Sequence, residues 1–179
     1  MSRAYAEHVV GPGHKFYKLP DHVSFEEAAL IDTLSVCLHA QHVGGLGIND
    51  KVFVLGAGPI GLGQLMLAKA SGADVIIADV VGHSLDLACE PGADAVIDAG
   101  SEDVVARVMA FTGGRGVDLA FECVGGTMMP TTLPQATKAV RRGGKLVTHR
   151  FPLDRINEAF DVADRKAETG AVFVAVTME

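Results

Sequence analysis

Apolar and polar positions change period repeatedly along the middle of the chain, and those changes predict its elements. Val52-Phe53-Val54-Leu55 is a short continuous apolar run of the kind buried on both faces of a sheet. A glycine turn stops it, and Leu62, Leu65, Met66, Leu67 and Ala68 follow with helical character before Gly72. A second β-type run, Val75-Ile76-Ile77, ends on Asp79. Beyond it the pattern predicts a helix from about His83 to Cys89, ended by Pro91 and Gly92, and a short strand at Ala95–Ile97. Ser101 is expected to cap a helix running to Phe111, which Gly113, Gly114 and Gly116 release. Val117 to Val124 reads as a fourth strand closing on Gly125-Gly126. A helix from about Leu133 to Arg142 then leads through Gly143-Gly144 to a fifth strand at Lys145–Val147. Strands alternating with helices at this spacing predict the α/β class: a doubly wound parallel sheet of strand order 3-2-1-4-5.

The flanks read differently. Ala4 to Leu19 alternates weakly around Gly11-Pro12-Gly13 and predicts one or two short strands. Ser24-Phe25-Glu26-Glu27 has the form of a capping box, and helical apolar spacing runs from Ala28 to Val43, ended by Gly44-Gly45. After Val147 the text changes abruptly at Thr148-His149-Arg150-Phe151-Pro152. Pro152 and Asp154 are expected to start a helix with Ile156, Ala159, Phe160 and Ala163 on one face, and Ala171 to Val176 is a final β-run. The Val147–Thr148 junction reads as a seam where a crossover and a sixth strand are missing. The expected division is 1–23, 24–147 (the nucleotide-binding fold with its leading helix) and 148–179.

Chemistry concentrates at the first turn, Gly56-Ala57-Gly58-Pro59-Ile60-Gly61, which carries the G-x-G-x-x-G spacing in a strand–turn–helix–strand context. Gly56 permits the tight turn, Gly58 lets backbone approach a pyrophosphate, and Gly61 lets the helix pack closely on the strand. Pro59 and Ile60 cover the turn, whose free amides and helix dipole favour phosphate. Asp79 stands where a carboxylate accepts hydrogen bonds from an adenosine ribose. That carboxylate would repel a 2′-phosphate, and Val80, Val81, Gly82 and His83 supply no permanent cation, so NAD is expected over NADP.

Composition narrows the partners. The 179 residues carry a net charge of −7, and the densest basic patch is Arg141, Arg142 and Lys145, which argues against a nucleic-acid partner. Cys37, Cys89 and Cys123 form no C-x-x-C pair, so neither a disulfide framework nor a structural metal cluster is expected, in keeping with a cytoplasmic location. No segment is long and apolar enough to span a membrane, and MSRAYAEHVV lacks a signal-peptide core.

The helix at 24–43, the glycine turn, GAD at 92–94, ECVGG at 122–126 and HRFPLDRINEAFD at 149–161 together resemble the zinc-dependent alcohol dehydrogenase group of the medium-chain dehydrogenase/reductase superfamily. Within it the chain is similar to the polyol (sorbitol- or iditol-type) and threonine dehydrogenase branch. The resemblance implies oxidation of a small alcohol or polyol by hydride transfer to NAD, with zinc polarising the alcohol oxygen. It implies that Asp32, in LIDTLSV, corresponds to a zinc ligand or near-ligand, and that Val124 and Gly125 approach the nicotinamide-side ribose. It also implies a GroES-like catalytic domain with short remnants at both ends of this chain: residues 4–19 resemble only its last strands, and the helix and strand of 148–179 would return to it, so the family's cysteine and histidine zinc ligands are not matched. The segment that forms the usual dimer is not matched either, which leaves oligomerisation open. The position matching a basic residue near the pyrophosphate is Phe173.

Three readings follow. The first is the NAD-binding portion of a zinc-dependent alcohol or polyol dehydrogenase, catalytically incomplete as this chain. The second is a non-catalytic NAD-binding module or partner subunit, and the third a zinc-free quinone- or enoyl-type reductase. His39 shares a predicted helix face with Asp32, yet a carboxylate and one imidazole make half a zinc site. A histidine bonded to backbone or water is the plainer reading. Cys123 reads as a small core residue rather than a nucleophile, and His149 and Arg150 as solvated as readily as catalytic.

Overall fold

The computed structural model describes residues 7–152 and 174–177, with the backbone path alone for 148–152 and 174–177. The chain divides into two compact units, Met1–Asp32 and Thr33–Glu179.

In the first unit the described residues before Ser24 hold one short 3₁₀ turn, Gly13–Lys15, and no strand, where the sequence predicts one or two. A strand needs a ladder partner, and here the backbone bonds locally instead, Lys15 N–H to Pro12 O and Phe16 N–H to Gly13 O. The capping box forms as expected. Glu27 N–H donates to Ser24 Oγ at 3.1 Å and Ser24 N–H to Glu27 Oε2 at 2.8 Å, opening helix α1 (Phe25–Ala28). The single helix predicted to Val43 is two. Leu30 N–H bonds Glu27 O three residues back, a tighter turn that separates α1 from α2 (Ile31–Gly44).

The second unit is the parallel sheet. Its strands are β1 (Lys51–Leu55), β2 (Asp74–Asp79), β3 (Ala95–Asp98), β4 (Val117–Glu122), β5 (Val140–Pro152) and β6 (Val174–Thr177). They are ordered β3-β2-β1-β4-β5-β6 and all pair in parallel. The first five carry the expected 3-2-1-4-5 order. The sixth is the described part of the final β-run. It pairs Thr148 with Val174 and covers the free edge of β5. Helices α3 (Pro59–Ala70), α4 (Gly82–Cys89), α5 (Val104–Phe111) and α6 (Met129–Ala139) make the crossovers.

Alternation along each strand divides the core in two. Val52, Val54, Val75, Ile77, Leu119 and Phe121 face Ala40 of α2, Leu65 and Ala68 of α3 and Ala88 of α4. Phe53, Leu55, Ile76, Ala78 and Ala120 face Val104 and Val108 of α5 and Ala136 and Ala139 of α6. A sheet covered on both sides explains why its strands read as unbroken apolar runs.

Two local expectations shift. Asp103, not Ser101, caps α5, its Oδ1 accepting from Ala106 N–H at 3.0 Å. Ser101 instead donates to Asp98 Oδ2 at 2.7 Å, closing the loop after β3. Helix α6 ends at Ala139, and Arg141 and Arg142 already lie in β5. The register between β4 and β5 slips between the pairs Val117–Val140 and Leu119–Lys145. Gly143-Gly144 is thus an irregularity inside the strand rather than a helix stop. A Cβ on Gly144 would stand 2.9 Å from Asp118 O. The predicted helix after Pro152 lies outside the described residues. Among the described residues no helix is long and apolar enough to cross a membrane.

Candidate functional site

Strand order reverses at β1, whose neighbours are β2 on one side and β4 on the other. In open sheets of this kind, ligands bind at the carboxyl ends of the strands where the order reverses. A cavity of about 330 Å³ lies there, lined by Thr33, Gly58, Pro59, Ile60, Cys123, Val124 and Gly125. That volume suits part of a dinucleotide rather than all of it.

The glycine turn forms one wall. Gly56 has φ +104°, and a Cβ there would meet Val124 Cγ2 at 2.9 Å and the Cys123 carbonyl carbon at 3.1 Å. It is therefore fixed by both backbone conformation and close approach. Gly61 is tighter: its Cβ would stand 1.8 Å from Gly56 O, so α3 rests directly on the turn. The close contact expected with the strand is made first with the turn's own carbonyl, and Val54 Cγ1 follows at 3.4 Å. Gly58 differs in kind. It has an ordinary φ of −76°, and a Cβ would meet no atom of the described residues within 4 Å. Its missing side chain leaves a groove at the N-cap of α3. Pro59 follows at the first helical position, and the amides of Ile60 and Gly61 face no intrahelical acceptor. An open cradle beside first-turn amides fits a pyrophosphate.

Asp79 ends β2 and turns its carboxylate back onto this turn. Its Oδ2 accepts from Ala57 N–H at 2.6 Å and its Oδ1 from Val81 N–H at 2.9 Å. The acid that the sequence leads one to expect beside a ribose thus shapes the glycine turn.

The opposite wall is the loop after β4. Cys123 N–H donates to Leu55 O at 2.8 Å, which holds that loop to the end of β1. Glu122 is fully buried, and its Oε1 accepts from the amides of Val124 at 3.0 Å and Gly125 at 3.1 Å and from the Thr132 hydroxyl at 2.9 Å. The sequence shows Glu122 only as part of the ECVGG motif and gives no sign of this latch, nor of Thr33. Behind Ile60, Cys37 Sγ donates to Ile60 O at 3.4 Å, and burial pushes the Cys37 thiol up to about 11. Gln41 Nε2 donates to Gln64 O and Oε1 at 2.8 and 2.9 Å, fastening α2 to α3.

Comparison with known proteins decides the family. The family model described as zinc-binding dehydrogenase matches residues 59–167. The chain belongs to this family. Sheep sorbitol dehydrogenase (Ovis aries) is 40% identical over 135 residues, covering 73% of this chain and 37% of that protein. The chain therefore spans well under half the length of that relative. Among solved structures, a Sinorhizobium meliloti 1021 zinc-binding dehydrogenase bound to NADP is 35% identical at a TM-score of 0.58, covering 65% of this chain and 34% of that one. An Escherichia coli CFT073 alcohol dehydrogenase complexed with NADH is 27% identical at a TM-score of 0.68, covering 79% and 41%. The family is one of dinucleotide-dependent oxidoreductases, and its fold is the one described above.

The metal that the family implies does not find its donors among the described residues. Asp32 lies in the first turn of α2. Among the described residues, no group of three or more His, Cys, Asp and Glu side chains could hold a metal ion. A zinc centre takes three or four protein ligands, so the described residues do not fit one.

Proposed function

We propose that residues 33–147 hold NAD, as the dinucleotide-binding part of a dehydrogenase acting on a small secondary alcohol of the polyol type. One observation carries the reading: the open Gly58 cradle and the Asp79 carboxylate flank one turn, at the edge of a cavity on the carboxyl side of the sheet. The pyrophosphate would lie over Gly58 and the Ile60 and Gly61 amides, and the adenosine ribose would reach Asp79. The nicotinamide end would then enter the cavity between Ile60 and the Val124–Gly125 loop, where Thr33 supplies a hydroxyl. When bound, the nicotinamide accepts hydride; the chain binds it, orients it and shields one of its faces.

The two solved relatives bind different dinucleotides, so the choice rests on this chain's own residues. A 2′-phosphate would face the Asp79 carboxylate, and Val80, Val81, Gly82 and His83 bring no permanent cation to offset it. Titration calorimetry with NADH and NADPH tests the reading. NADH should bind at least about tenfold more tightly. Absence of NADH binding, or preference for NADPH, would refute it. A turnover assay with NAD and a panel of polyols then shows whether the bound dinucleotide is reduced by this chain.

A further inference from the structure

A buried carboxylate that touches no solvent and is placed behind a cavity wall requires a reason. Glu122 ends β4 with none of its surface exposed. A single oxygen, Oε1, gathers two successive loop amides and the Thr132 hydroxyl, while Oε2 is buried without a hydrogen-bond partner among the described residues. The Thr132 proton has a second acceptor in reach, Met128 O at 3.2 Å, and the Glu122 contact at 2.9 Å is the shorter. The loop so held has a backbone that few residues adopt. Gly125 sits at φ +63° and ψ −162°, a region open essentially to glycine alone. Such a conformation persists only where its surroundings fix it, and here the two amides bonded to Glu122 belong to Val124 and Gly125, both of which line the cavity.

We infer that Glu122, braced by Thr132 of α6, is a positioning residue for the nicotinamide end of the cofactor: it sets the Val124–Gly125 wall against the Gly56 turn. The inference rests on the nucleotide reading above. Glu122 itself would touch neither cofactor nor substrate; it acts through the loop. The wall it fixes already meets the phosphate side, since Val124 Cγ2 occupies the space a Cβ on Gly56 would need. A loop that slackened would move away from the nicotinamide half and leave the adenosine half untouched.

Two ligands separate these halves. NADH reaches the Val124–Gly125 wall, whereas ADP ends at the pyrophosphate. In calorimetric titrations of the full chain, Glu122→Ala should weaken NADH by about tenfold or more and leave ADP within about twofold. Thr132→Val keeps the side chain's shape and removes one of the three donors, so it should weaken NADH by about threefold with ADP unchanged. Glu122→Gln retains a carbonyl acceptor for the loop amides and should restore NADH to within about threefold of the parent. Equal losses for NADH and ADP in Thr132→Val and Glu122→Ala would overturn the inference, as would NADH affinities that do not change. A parent chain that binds neither ligand would overturn the nucleotide reading and this inference with it. Parental binding of both ligands with no selective loss overturns this inference alone.

Discussion

Gly58 and Gly61 stand three residues apart in one motif, yet the structure assigns them different work, and alanine at each should separate folding from binding. A Cβ at Gly61 would stand 1.8 Å from Gly56 O and 2.9 Å from Gly56 C. A carbon and a carbonyl oxygen rest at roughly 3.3 Å, so α3 would have to retreat by about 1.5 Å. Both sides of the clash are backbone, which cannot rotate away, so the cost belongs at the upper end for overpacking, about 3 kcal/mol. Alanine's better helix propensity offsets at most about 1 kcal/mol of it. The net loss of about 2 kcal/mol should lower Tm by roughly 4–8 °C. The retreat also pulls the Ile60 and Gly61 amides from the phosphates. Losing one charge-assisted hydrogen bond of about 1.5–3 kcal/mol weakens NADH some ten- to hundredfold. Gly58→Ala should behave otherwise. With an ordinary φ and no atom within 4 Å of its Cβ, it should hold Tm within about 2 °C. Its methyl group projects into the groove where the proposed pyrophosphate would lie, so NADH should still weaken about tenfold or more. Thermal unfolding and NADH titration of the two variants are the assay. A Gly61→Ala chain with parental Tm, or a Gly58→Ala chain with parental NADH affinity, would refute the reasoning.

Further outcomes follow from single contacts. Asp79→Asn leaves either the Ala57 or the Val81 amide facing an NH₂ group, so the NADH-over-NADPH preference should narrow by about tenfold in calorimetry. Cys37, buried and with its thiol pushed up to about 11, should resist iodoacetamide at neutral pH while exposed Cys89 reacts; mass spectrometry of labelled peptides, native against urea-unfolded, reads the difference. Burial alone would raise the Asp118 carboxyl, but the Lys51 amide and the Arg141 guanidinium outweigh it and hold Asp118 below 3.8. A lowered folded value contributes stability that is present above the unfolded one and disappears as pH falls through the folded one. Urea midpoints should therefore hold down to about pH 4 and decline below it, less steeply in Asp118→Asn.

The sheet was legible because burial on both faces forbids alternation, so β1, β2 and β4 show as apolar runs whatever their neighbours. The glycine turn was legible for a related reason: 1.8 Å between a would-be Cβ and a carbonyl leaves sequence no freedom at Gly61. What stayed hidden were choices between equivalent local signals. Ser101 and Asp103 both suit a helix cap, and only the loop bond from Ser101 to Asp98 decides for Asp103. Gly143-Gly144 suits a helix stop as well as a strand irregularity, and the contact with Asp118 O decides for the strand. The Glu122–Thr132 bond joins residues ten apart through the packing of α6, which no periodicity records.

Asp79 shows how far the turn is prepared for its ligand. Its carboxylate already serves Ala57 and Val81, so a ribose would have to share it with them. A carboxylate offers about four lone-pair positions, two on each oxygen, and each Asp79 oxygen has one described amide partner. One position on each oxygen is left, matching the paired hydroxyls of a ribose. The same group can therefore hold the glycine turn in shape and accept the ligand without giving up either amide. A turn already ordered by its own protein costs less to order on binding, so the affinity should come from the phosphate and ribose contacts with little lost to arranging the loop.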